Sequence, residues 1–158
     1  MTAFVEFATM FVVTLPARFS LATLGVRDVV RTTRFYQALG WPLSKASVPG
    51  EVSFFDTDGG ILAIWGYDKL AEDAGVPIQP GGDSGYRGVA YAINLDSPAD
   101  VDAFLTLAVV AGGRITRGAV ATDWGGYNGY FADPDGHLWE VAHNPDWPIG
   151  PNGRPILP

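Results

Sequence analysis

Hydrophobic and polar positions along this chain follow one order twice. Apolar residues at 21–26 predict a strand. Asp28 then stands as an N-cap, and a helix is predicted to about Leu39, where Phe35 and Leu39 share a face and Gly40 ends the run. Three strands follow at 41–46, 51–56 and 61–65, with turns at Pro49-Gly50 and Asp58-Gly59-Gly60 between them. The second half repeats the order. A strand at 88–95 leads to Ser97 as N-cap, with Pro98 at the first helical position and Asp100 adding favourable charge in the first turn. Val101, Phe104, Leu105 and Ala108 keep helical spacing, and Gly112-Gly113 stops the helix. Strands are then predicted at 115–122, 126–132 and 137–143.

The pattern therefore predicts an α+β fold of two βαβββ modules, with curved mixed sheets around a shared cleft. Residues 20–66 form the first module and 86–145 the second. Residues 67–85 connect them, with a short helix expected at 68–74. Residues 1–19 are read as an N-terminal extension that packs on the domain, and 146–158 as an irregular but packed tail. Two adjoining modules leave a cavity between them, and such cavities are common ligand sites.

Composition narrows the partners. The chain has 158 residues and a formal net charge of −7, with 10 Lys and Arg against 17 Asp and Glu. That balance argues against a nucleic-acid backbone or an anionic membrane surface. There is no cysteine, which excludes disulfide and thiolate chemistry and suits the cytoplasm. The N-terminal apolar stretch lacks a basic leader, since Glu6 is its only charge before Arg18, and its apolar runs are too short to span a bilayer.

The closing stretch "DPDGHLWEV" and the opening "LGVRDVVRTTRFYQALGW" resemble the vicinal oxygen chelate superfamily, which includes glyoxalase I, fosfomycin and bleomycin resistance proteins, and extradiol dioxygenases. The resemblance spans about residues 20–145. It implies a homodimer and up to four metal-ligand positions, which fall here on Leu21, Ile64, Gly88 and Glu140. Only Glu140 carries a donor, and a divalent transition metal needs at least three from His, carboxylate or thiolate. No metal and no cofactor are therefore expected.

Strand alternation gives a lining that does not depend on the resemblance. If Glu140 faces inward, Trp139, Val141 and His143 face away. The parity of the preceding strand then turns Asn128 and Tyr130 inward, with Trp124 near them at a flexible rim. The first module contributes Leu21, Thr23, Phe55, Leu62 and Ile64. His137, directly after the Asp133–Gly136 turn, is expected at an exposed strand start. This apolar and aromatic wall with a few polar groups suits a small, partly aromatic organic molecule. Two readings share it. In one the protein binds such a molecule without metal. In the other it is a lyase or isomerase in which Glu140 is a general base and Tyr130 or Asn128 steadies an oxyanion. A metal-dependent glyoxalase or dioxygenase would need donors that three of the four positions lack.

Overall fold

The computed structural model describes residues 17–78 and 86–158. The packing expected of the apolar N-terminus up to residue 16, and the middle of the connector, lie outside them. In chain order the elements are β1 (Leu21–Val26), α1 (Val29–Ala38), β2 (Val52–Thr57), β3 (Gly60–Gly66), α2 (Tyr67–Asp73), β4 (Tyr91–Asn94), α3 (Pro98–Val110), β5 (Arg114–Ala121), β6 (Tyr127–Ala132) and β7 (Leu138–His143). They make two curved mixed sheets of order β1-β3-β2 and β4-β7-β6-β5. In each, the strand before the helix pairs parallel with the last strand of its module, and the remaining pairs are antiparallel.

Helices α1 and α3 begin where their caps dictate. The Asp28 carboxylate accepts from the Arg31 N–H at 2.9 Å, and the Ser97 hydroxyl accepts from the Asp100 N–H at 3.2 Å. Each satisfies a donor that the helix itself leaves unpaired. Gly40, at φ 86°, takes the left-handed conformation that ends α1.

The first sheet is one strand shorter than the pattern predicts. Residues 41–46 make only a single bridge, between Leu43 and Phe55. Pro42 has no N–H to give a ladder, and the chain turns after Ser44, whose N–H donates to the Phe54 carbonyl at 2.8 Å.

One core joins the modules. Phe35 and Tyr36 on α1 meet Phe131 and Trp139 on the second sheet, with ring centroids 6.2 Å and 6.0 Å apart. Leu24, Ile64 and Phe55 join this core from the first sheet, and Val101, Leu105 and Val141 from the second half. Full burial of each such side chain contributes about 1.5–3 kcal/mol. The faces of the two sheets that carry α1 and α3 thus share a core, and the opposite faces turn away from it, with α2 lying over Gly25 on that of the first sheet.

The turn Asp133–Gly136 fastens the second module to the first. The Tyr36 hydroxyl donates to Asp133 at 2.9 Å and itself accepts from the Trp139 indole N–H at 3.0 Å. Asp133 also accepts the backbone N–H groups of Asp135 and His137. Asp135 accepts from the Thr32 hydroxyl at 2.5 Å and the Arg27 N–H at 2.9 Å, with Arg31 beside it at 3.1 Å. Burial pushes the Asp133 carboxyl above its ordinary range, against the lowering effect of His137 beside it. Burial pushes Asp135 up as well, but the hydrogen bonds from Thr32, Arg27 and Arg31 and the Arg31 charge hold it below that range. His137 is not the exposed strand start that its position suggests. It is 8% exposed, with Nε2 3.0 Å from the Gly25 carbonyl and Nδ1 3.1 Å from Arg87. Arg87 can only donate, so Nδ1 accepts and Nε2–H donates to Gly25. The turn looks exposed in sequence, but docking on β1 and α1 buries it.

Candidate functional site

Alternation along β7 sends Trp139 and Val141 into the core and leaves Leu138, Glu140 and Ala142 on the opposite, open face of the second sheet. The β6–β7 register sets Tyr130 opposite Glu140 and Asn128 opposite Ala142. These side chains therefore share that face, as their parity predicts. The Asn128 amide N–H donates to Glu140 Oε1. The Asn128 carbonyl in turn accepts from Arg117 Nη2 at 2.5 Å. The Arg117 guanidinium carbon lies 5.0 Å from the centre of the Tyr130 ring, within cation–π range. Burial raises the Tyr130 phenol above its ordinary value, the Glu140 charge and hydrogen bond raise it further, and Arg117 opposes them.

Arg117 owes its place to an irregularity. Ile115 pairs with Phe131 and packs against the core, and strict alternation would put Arg117, two residues on, on the same side. The register shifts between Ile115 and Arg117 and again between Arg117 and Val120. The extra residue turns Arg117 onto the open face beside Tyr130. Sequence reasoning missed this residue because periodicity places it on the wrong side. The one local signal is Gly118, a residue type that often marks a bulge.

The residues expected from the first module divide between two faces. The parallel β1–β3 register sets Ala22 beside Leu62 and Leu24 beside Ile64. Leu62, Ile64 and Phe55 consequently face the core, with Ile64 and Phe55 at 0% exposure. Leu21 and Thr23 lie on the opposite face, with Ile61 and Ala63 of β3 in register beside them. This corrects the shared inward lining expected of Leu21, Thr23, Phe55, Leu62 and Ile64. Trp124 lies outside β6, half-exposed in the turn before it, with its ring over Gly126. His143 faces away from Glu140, with Nδ1 3.1 Å from the Leu95 carbonyl.

A large cleft of about 1410 Å³ opens between the modules beside β1 and β4, walled by Ala22, Leu62, Tyr91, Ile93, Phe104 and Trp139 among others. Of the residues expected at a site, only Leu62 reaches it. Its inner walls continue the shared core, and its rim carries Arg18, Asp56, Asp58 and Arg154. Fixed polar chemistry instead converges on the open face, at Arg117, Asn128, Tyr130 and Glu140.

The metal implied by the resemblance does not fit these residues. Ile64 is a hydrocarbon side chain in the core, Leu21 and Ala63 on the other side of their strands offer no donor, and Gly88 precedes β4 without a side chain. Among the described residues, no three His, Cys, Asp or Glu side chains form a group that could hold an ion.

Comparison with known proteins agrees with this architecture. Residues 18–141 match the Glyoxalase/Bleomycin resistance protein/Dioxygenase superfamily. The crystal structure of a glyoxalase-related enzyme from Fulvimarina pelagi is similar, at 36% identity and TM-score 0.80, over 90% of this chain and 99% of that one. A glyoxalase/bleomycin resistance protein/dioxygenase from Nocardioides is 29% identical over 84% of this chain and 86% of its own, at TM-score 0.66. A lactoylglutathione lyase from Agrobacterium tumefaciens shares the fold, at 18% identity and TM-score 0.60, over 83% of this chain and 96% of that one. No curated protein matches the chain.

Proposed function

The chain belongs to the Glyoxalase/Bleomycin resistance protein/Dioxygenase superfamily, and from that premise we propose that it binds a small, partly aromatic organic molecule on the open face of its second sheet, without a metal. One observation carries the reading: Arg117, Asn128 and Glu140 form a hydrogen-bonded chain beside Tyr130 on that face. A polar network fixed in place on a surface clear of the core orients a ligand at little further entropic cost. Leu138 and Ala92 supply apolar surface beside it. Glu140 Oε1 already accepts from Asn128, which suits a carboxylate acting as a fixed polar contact.

The same reading includes a homodimer and a cytoplasmic location. Each open face is turned from the shared core, so a single chain walls a site there on one side only. Leu21 and Ile61, neighbours on the open face of the first sheet, are 42% and 39% exposed. That apolar surface is available to a second copy, whose second sheet it would face across a shared cleft.

A thermal-shift screen of small aromatic compounds on the full chain tests the reading, followed by turnover assays and NMR on the hits. Hits that shift the signals of Asn128 and Glu140 and bind without turnover support it. A screen whose hits all leave those residues unmoved refutes it.

A further inference from the structure

The makeup of the open face restricts the class of its ligand, an inference that rests on the reading above. Arg117 and Glu140 carry opposite charges, yet they do not pair directly. Asn128 stands between them, its carbonyl turned to the guanidinium and its amide N–H to the carboxylate. Asn128 is 6% exposed, so its orientation is fixed by burial and by both neighbours. The two charges are thereby held no more than about 8 Å apart, two hydrogen bonds and one amide.

Each charge keeps unused capacity. A guanidinium has five N–H donors, and a carboxylate accepts about four hydrogen bonds. Among the described residues, no carboxylate forms an ion pair with Arg117. Between and beside the charges the face is low, because Ala92 is in register with Glu140 and Ala142 with Asn128.

From this geometry we infer that the face recognises zwitterionic aromatic molecules: a flat apolar body with an anionic group for Arg117 at one end and a protonated amine for Glu140 at the other. A ligand of a single sign gains one charge-assisted contact and meets a like charge within the same short span. A ligand of both signs gains two. Asn128, with the Tyr130 hydroxyl beside it, stands between the protein's own charges and bonds to both.

The experiment uses three matched probes on the full chain: para-(aminomethyl)benzoate, para-toluate and para-methylbenzylamine. Isothermal calorimetry should find the zwitterion binding at least about tenfold tighter than either single-charge probe. Arg117→Gln should abolish its advantage over the amine while keeping its advantage over the toluate. Glu140→Gln should do the reverse. Thermal unfolding of both variants checks that they remain folded. Equal affinity for the three probes, an unchanged order in both variants, or no binding by any probe overturns the inference. A hit from the wider screen that binds at Glu140 regardless of its charge overturns this inference and leaves the binding function standing. A screen with no hit at Glu140 overturns the binding function itself.

Discussion

Asn128→Asp tests the geometry of the proposed site with the smallest change of shape. The amide N–H that donates to Glu140 Oε1 becomes a carboxylate oxygen at the same place. A charge-assisted hydrogen bond of about 1.5–3 kcal/mol is lost. In its place two anions sit roughly 3 Å apart, a repulsion of about 5 kcal/mol at an effective dielectric of about 20. Arg117, which already lies 2.5 Å from Asn128, offsets part of this, and one proton shared by the two carboxyls removes most of the rest. The folded variant therefore binds a proton more tightly than the unfolded chain. Its deficit against the parent is smallest below the ordinary carboxylate range and grows as pH rises through the raised value. Urea unfolding followed by tryptophan fluorescence should show a loss of about 2–5 kcal/mol against the parent near pH 8, shrinking to about 1 kcal/mol near pH 4.5. A loss equal at the two pH values, or below about 0.5 kcal/mol near pH 8, would show that Asn128 does not bridge to Glu140.

Other perturbations reach the modules' junction and the chemistry. Asp135→Ala leaves the buried Thr32 hydroxyl and the Arg27 N–H without their acceptor, a cost of about 2–4 kcal/mol near neutral pH; half-exposed Arg31 adds little. Because its folded pKa is depressed, this contribution is present above the ordinary carboxylate pKa and lost as pH falls through the lowered value, so parent and variant should converge in acid in urea titrations; a gap that stays constant into acid would contradict the assignment. Glu140→Gln keeps the side-chain shape and should change stability by no more than about 1 kcal/mol while weakening a screened ligand by about 1–3 kcal/mol. Unchanged binding with turnover cut about 10²-fold would instead make Glu140 a general base. Elemental analysis of the purified protein should find substoichiometric zinc, nickel, iron and manganese, and one tightly held ion per chain would overturn the donor argument.

Sequence alone determined the features that depend on neighbours along the chain. Asp28 and Ser97 cap their helices because a cap joins residues three apart. Glu140, Asn128 and Tyr130 share a face because alternation is a local property of a strand and the β6–β7 connection is short. Tertiary structure decided what depends on contacts between distant segments. Leu62 and Ile64 fall opposite Leu21 and Thr23 because the register of the parallel β1–β3 pair is set across an intervening helix and strand, a separation over which sequence carries no phase. Residues 41–46 read as a strand by hydrophobicity, but Pro42 and the turn after Ser44 leave one bridge. His137 is buried because the turn before it docks on β1 and α1 of the other module. Arg117 reaches the site only through two register shifts, and a bulge is fixed by how a strand fits its partner, which no window of one strand contains.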